Sequence, residues 1–248
     1  MYKEIFSQER LKNYKINPSD TDEEVIARYL WNIALSEALY PAIAIFEINL
    51  RNNIYNSISK HIKKDWLDEV NTPWLLKVPR NLKYNVENKQ IMDAKKQLTK
   101  LKKPHSQGQI ISQLTLGFWV NMLKLQYKPD IWTKPKVFDD AFPYFNIKCS
   151  DRIAYVDPYL KRILKLRNRL FHHEPIFNHP QGLDVVFNDL LTVMSWLSAD
   201  TKDLLNILNR FDKVYNSKLE KYLPARKTFM FYSKKIGQLL EQVLKAKN

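Results

Sequence analysis

The sequence has few residues of the kinds that make cross-links or tight turns. Only one of its 248 residues is cysteine, Cys149, and only four are glycine. A single cysteine excludes an intramolecular disulfide and a zinc knuckle, which favours a reducing compartment. The scarcity of glycine argues against a sheet-rich fold, because such folds depend on tight turns.

Long apolar runs are also missing. The most apolar stretch, from Ala38 to Phe46, stops at Glu47 and is too short to cross a bilayer. The first residues lack the apolar run of a signal peptide. We therefore expect a cytoplasmic protein that does not bind membranes.

Acidic residues are in the minority, with 26 Asp and Glu against 40 Lys and Arg and a net charge of +14. Such a balance favours an anionic partner, most commonly nucleic acid. Two stretches, 77–103 and 213–247, each contain nine Lys or Arg, two acidic residues and aromatic side chains that could stack on unpaired bases. The alternative for each stretch is a solvated helix face whose aromatics point inward.

The hydrophobic pattern predicts an all-α fold. Thr21 and Glu24 form a capping box at the start of a helix, and Pro41 either begins a second helix or kinks one long one. Further helices are predicted over 85–101, 110–127, 157–174, 183–197 and 200–215, with a basic one from 224. We expect one domain over 1–248, in which 65–104 could be an insertion and 217–248 a basic C-terminal extension.

The segment from Leu166 to Pro175 contains the strongest candidate for chemistry. It places Arg167 and His172 at the end of a predicted helix, which Pro175 cannot continue. Cleavage of RNA without a metal needs a proton-transfer group near neutral pH and a fixed cation for the developing phosphate charge. On a helix Asn168 would lie beside His172 and could orient its ring, whereas Arg169 would lie beside His173 and disfavour its protonated form.

Two other readings of this segment remain open. Arg167 could pair with an acid such as Glu47, while His172 or His173 caps the helix. A metal site is disfavoured, because adjacent histidines point in different directions and neither H-x-x-x-H nor H-E-x-x-H is present. We predict neither metal nor cofactor.

The segment resembles the R-x(4–6)-H motif of HEPN ribonucleases, in the R-N-x-x-x-H-H form of Abi family proteins of the AbiD/AbiF type. Four other segments resemble that family in the same order, so that the resemblance runs from about residue 6 to about residue 215. They are Phe6 to Tyr14, Tyr29 to Asn32 with Leu39 and Tyr40, Glu47 to Ile54, and Leu114 to Val120.

The resemblance implies a HEPN-like helical bundle with inserted and C-terminal basic helices. It further implies a metal-independent endoribonuclease that acts in abortive infection or as a toxin. The RNA 2′-OH would attack the adjacent phosphate, His172 would transfer protons and Arg167 would stabilise the phosphorane. Asn168, His173 and Glu47 would support the site.

RNA is the expected partner of the basic residues, and a small noncoding RNA could be bound as well. The residues assigned to RNA binding are Arg51, Arg169, Lys95, Lys96, Lys102 and Lys103. HEPN ribonucleases join two copies of the motif, whereas this chain has one, so a homodimer is expected. The alternatives are a non-catalytic RNA-binding protein and a HEPN antitoxin that pairs with a nucleotidyltransferase.

Overall fold

The structure is a computed structural model that describes residues 5–68, 85–217 and 219–223. These residues form helices and turns, with no strand among them, so the all-α prediction is confirmed. The predicted basic helix from 224, and residues 69–84 of the predicted insertion, lie outside the described residues.

The longest of the described α-helices are α2 (Asp22–His61) and α7 (Arg152–Phe171). The α-helices are α1 (Gln8–Lys12), α2 (Asp22–His61), α3 (Val86–Lys100), α4 (Gln107–Gln113), α5 (Leu116–Asn121), α6 (Val137–Ala141), α7 (Arg152–Phe171), α8 (Leu183–Leu197), α9 (Thr201–Leu208) and α10 (Phe211–Tyr215). Two 3₁₀ helices (Leu125–Tyr127 and Leu219–Tyr222) and a π-turn (Lys128–Trp132) complete the described elements.

Backbone contacts divide the chain into two compact units. Unit 1 comprises residues 1–39, 169–179 and 210–248, and unit 2 comprises 40–168 and 180–209. Helices α2 and α7 each contribute residues to both units.

Helix α2 begins at the predicted capping box. The Thr21 backbone N–H donates to Glu24 Oε2 at 2.8 Å, and the Glu24 N–H donates to Thr21 Oγ1 at 3.3 Å. The helix continues through Pro41 without ending, so Pro41 does not begin a second helix. Its core face repeats at intervals of three and four residues, as a helix requires. The buried residues of this face are Leu35, Leu39, Ile43, Phe46, Leu50, Ile54 and Ile58.

By length and composition, α2 is the one helix among the described residues that could cross a membrane. The core helix of a soluble protein meets the same criteria.

Three predicted helices have different bounds in the structure. The predicted helix over 110–127 is broken, because Leu114 and Thr115 adopt extended backbone angles between α4 and α5. The predicted helix over 200–215 is interrupted at Asn209, which is also extended. Helix α7 starts at Arg152, before the predicted Asp157, and Pro158 lies inside it. The Asp151 carboxylate accepts the Ala154 N–H and begins this helix instead.

Unit 1 is built on aromatic packing. Leu11, Tyr14 and Val25 form a buried cluster against which Phe6 and Tyr29 pack. Trp31 stacks on Phe177 and donates its indole N–H to the Val214 carbonyl at 3.0 Å. These contacts join α1, α2, the turn after α7 and α10 within the unit.

Unit 2 holds most of the aliphatic core. Trp66, Phe118 and Trp119 are fully buried and pack ring against ring. Arg162 of α7 donates to Asp189 of α8 at 2.6 Å. The two helices that lead to and from the candidate site are therefore joined within this unit.

Candidate active site

Helix α7 ends in a Schellman motif just before the candidate histidines. The Glu174 N–H donates to the Arg169 carbonyl at 2.8 Å, and the His173 N–H donates to the Leu170 carbonyl at 3.1 Å. This pair of bonds defines the motif and satisfies carbonyls that the helix would otherwise leave unpaired. The final helical residue is Phe171, so the helix ends three residues before the predicted limit.

His173 occupies the position in this motif that glycine usually fills. Its φ is 55°, in the left-handed region. A residue with a Cβ pays about 1–2 kcal/mol for that conformation. The backbone of His173 therefore acts as the helix cap, as the structural reading of the motif anticipated, and its imidazole is exposed.

The side chain of His172 is also exposed, directly after the last residue of α7. The expected pairing of Arg169 with His173 on one helix face is wrong, because the helix has ended by that point. Arg169 instead lies 3.7 Å from the Glu174 carboxylate and donates to Asn178 Oδ1 at 3.2 Å. Arg169 thus stabilises the turn.

Two residues of the N-terminal segment hold the His173 carbonyl. Arg10 Nη1 donates to it at 3.1 Å, and the Tyr14 hydroxyl donates at 3.2 Å. Burial, with a smaller contribution from Tyr29, raises the pKa of Tyr14 to about 12, so this hydroxyl carries its proton at neutral pH. The carbonyl after the strained φ is therefore fixed by two donors.

Asn32 fixes the next part of the turn. Its Nδ2 donates to the Glu174 carbonyl at 3.2 Å, and its Oδ1 accepts the Ile176 N–H at 2.7 Å. The same Nδ2 lies 3.2 Å from the Tyr14 hydroxyl oxygen. Asn32 is buried, and its amide replaces the backbone partners that a turn cannot supply.

These positioning residues were not predicted individually from the sequence. Arg10 and Tyr14 belong to the segment from Phe6 to Tyr14, and Asn32 ends the segment from Tyr29 to Asn32, both of which carry the family resemblance. The sequence indicated these three residues only through their place in segments that resemble the family. It did not show that both segments contact the turn after α7.

Arg167 lies in α7 and forms an ion pair within unit 2. Its Nε is 3.5 Å from Glu47 Oε2, and the two side chains are 21% and 22% exposed. Glu47 therefore pairs with α7, as one of the readings of the motif anticipated, and not with Arg51 four residues further along α2. Asn168, the next residue of α7, is exposed.

The rest of the segment from Glu47 to Ile54 is largely structural. Leu50 and Ile54 are fully buried. Asn53 Nδ2 donates to the carbonyls of Ala141 and Leu197, at 3.2 and 2.9 Å. Glu47 and Arg51 are the charged residues of this segment and remain candidates for a function beyond packing.

The predicted RNA-binding lysines differ in their availability. Lys95 is only 15% exposed and pairs with Asp68 at 2.8 Å, whereas Lys96 is well exposed and 3.7 Å from Asp93. Lys102 and Lys103 are exposed in the turn that ends α3. They are the better candidates for contact with a polyanion.

The turn after α3 repeats the geometry found after α7. The Lys103 N–H donates to the Leu98 carbonyl and the Lys102 N–H to the Thr99 carbonyl, at 2.9 and 3.0 Å. Lys102 has a φ of 54°. A second Schellman motif therefore presents a basic residue where glycine is usual.

The sequence matches the family described as Abi-like protein over residues 1–178. The chain belongs to the Abi-like protein family. The match includes the N-terminal segments, the segment from Glu47 to Ile54 and the whole Arg167 to His173 motif. Residues 179–215, which the resemblance also included, lie beyond it. No curated protein and no solved structure matches the chain.

Membership of the Abi-like family suggests a role in abortive infection, a form of phage defence. It does not by itself assign a reaction to His172 or Arg167. Among the described residues of this Abi-like chain, no group of three or more His, Cys, Asp or Glu is arranged to hold a metal ion.

Proposed function

We propose that this Abi-like protein is a HEPN-type endoribonuclease that cleaves RNA without a metal ion. The observation that carries the proposal is the exposed His172 directly after α7, five positions beyond Arg167, in a turn held by hydrogen bonds to its backbone. An exposed imidazole on a fixed backbone suits proton transfer, because its approach to a substrate is defined.

The proposed reaction is attack of the RNA 2′-OH on the adjacent phosphate. The 2′-oxygen loses its proton, a P–O bond forms, and the bond to the 5′-oxygen breaks as that oxygen gains a proton. The products are a 2′,3′-cyclic phosphate and a 5′-OH end. His172 transfers a proton, and Arg167 carries the positive charge for the phosphorane.

The ion pair with Glu47 supports a defined place for Arg167. The Glu47 carboxylate lies 3.5 Å from the Arg167 Nε, and both side chains are only partly exposed. Such an arginine loses less side-chain entropy when phosphate binds, because it is already held. Glu47 is proposed as the residue that positions Arg167.

Exposed basic residues are proposed to bind the RNA itself. Lys96, Lys102 and Lys103 lie on α3 or in the turn after it, and the net charge of +14 favours a polyanion. A small noncoding RNA is a further proposed partner. The protein is proposed to act in the cytoplasm as a homodimer.

The test is incubation of labelled RNA in EDTA with wild-type protein and with His172→Ala, followed by mapping of the product ends. Wild type should cleave and leave cyclic phosphate, and His172→Ala should not. His105→Ala is the matched control, because His105 is also exposed and also follows the end of a helix, α3. Equal cleavage by wild type and His172→Ala would refute the assignment.

A non-catalytic RNA-binding protein is the second candidate. The observations that favour it are the ion pair of Arg167 with Glu47 and the capping role of His173, which together give structural tasks to two residues of the motif. This candidate predicts tight RNA binding without cleavage, and equal affinity for wild type and His172→Ala.

A further inference from the structure

Helix α2 is apolar on two opposite faces. Its core face is buried, yet a second apolar patch at the surface comprises Tyr40, Pro41, Ala44, Ile45 and Ile48, all in unit 2. Tyr40 is 54% and Ile48 49% exposed. A helix that is hydrophobic all round normally has its outer face covered as well.

The pattern of this patch is self-complementary about Ala44. When two copies of a helix cross antiparallel with residue 44 at the centre, position 40 meets position 48 of the other copy. Tyr40 then packs on Ile48 twice, and the small Ala44 lies at the crossing point. Paired contacts of this kind are what a two-fold interface requires.

The charges at the ends of the patch follow the same symmetry. Position 37 meets position 51, and these are Glu37 and Arg51. Glu37 is exposed and pairs with Arg210 of its own chain at 2.7 Å, and Arg51 is partly exposed. An antiparallel partner would bring a Glu37 carboxylate toward each Arg51 guanidinium.

We infer that this face of α2, centred on Ala44, is the surface on which a second copy of the chain docks. The inference rests on the proposed function, in that it names the surface of the homodimer proposed there. Glu47, the residue before Ile48, pairs with Arg167 in unit 2, so docking on this face places the second copy next to the candidate cation.

The first test measures the mass of the full-length protein by light scattering after gel filtration. Wild type should have twice the chain mass of 29.6 kDa, and Ile48→Glu should have a mass near 29.6 kDa. Val185→Glu is the matched control, because Val185 is 46% exposed on α8 and lies outside the patch. It should remain a dimer.

The second test does not depend on how well Ile48→Glu folds. Helix axes that pack 8–10 Å apart bring facing Cα atoms to about 4–6 Å, which a disulfide can bridge. In a Cys149→Ser background, mild oxidation should therefore join Ala44→Cys chains into covalent dimers. Val185→Cys in the same background should stay single.

Three outcomes would overturn the inference. A monomeric wild type would exclude the interface. A dimer in which Ile48→Glu has no effect and Ala44→Cys does not cross-link would show that the copies meet elsewhere. Wild type that is monomeric and binds phosphatidylglycerol vesicles through Ile48 would assign the patch to lipid.

These readouts do not use RNA, so the two proposals fail separately. A dimer that cross-links at residue 44 but never cleaves RNA would remove only the ribonuclease. A cleaving monomer would remove the docking surface and the proposed homodimer but leave the ribonuclease.

Discussion

Replacing His173 with glycine should stabilise the protein, which is the reverse of the usual effect of glycine. The φ of 55° costs a residue with a Cβ about 1–2 kcal/mol. Glycine removes that cost but adds about 0.5–1 kcal/mol of unfolded-state entropy. The expected net gain in the free energy of unfolding is about 0.5–1 kcal/mol, measured by urea denaturation followed by circular dichroism.

Two variants control for the position of the substitution. Lys102→Gly, at the equivalent point of the second Schellman motif, should give a gain of similar size. His172→Gly, one residue earlier and without a positive φ, should lower the free energy of unfolding by up to about 1 kcal/mol.

The same variant decides whether His173 takes part in chemistry. If its backbone caps the helix and His172 transfers the proton, His173→Gly should keep the maximal RNA cleavage rate within about threefold, a change of under about 0.7 kcal/mol in the barrier. A folded His173→Gly protein that has lost cleavage would show that the imidazole of His173 is needed. A destabilised His173→Gly would refute the reasoning about backbone strain.

Four further predictions concern other contacts. Asn32→Ala should lower the free energy of unfolding by about 1–3 kcal/mol and slow cleavage without changing RNA affinity. Slow cleavage by a variant that keeps wild-type stability would contradict the role of Asn32 in holding the turn after α7. Arg167→Lys should slow single-turnover cleavage at saturating RNA at least tenfold, because lysine lacks the guanidinium fork, and an unchanged rate would remove arginine from the site. Lys102→Gly should weaken RNA binding and reduce the slope of log affinity against log salt by about 1, and an unchanged slope would mean no phosphate contact. The Arg28 guanidinium lowers the pKa of Asp20 in the folded protein. The stabilisation that Asp20 provides is therefore present above its unfolded pKa of about 4 and is lost as the pH falls below that value. The difference in the free energy of unfolding between wild type and Asp20→Asn should accordingly shrink between about pH 4 and pH 2.

The fold class followed from local signals in the sequence. Scarce glycine, the capping box at Thr21 and the apolar spacing along α2 all favour helices, and the structure agrees. The interruptions at Leu114 and Asn209 were missed, because apolar residues keep a helical spacing across a short extended break. The start of α7 was missed, because Asp157 and Pro158 look like a helix N-terminus while Asp151 serves that purpose.

The candidate site was only partly predictable for a related reason. The spacing of Arg167 and His172 is local, so the sequence displays it. The contacts of Arg10, Tyr14 and Asn32 with the turn join positions more than 140 residues apart. No periodicity encodes such a contact, and only the folded chain shows it.

The positive φ angles connect the scarcity of glycine with the proposed function. Four residues other than glycine have a positive φ among the described residues: Asp65, Lys102, Lys136 and His173. Three of these four are basic residue types, at positions where glycine would be more stable. At these three positions the chain therefore has a side chain that can carry positive charge, although glycine would be more stable there. Because stability disfavours these side chains, we propose that they serve contact with an anionic partner.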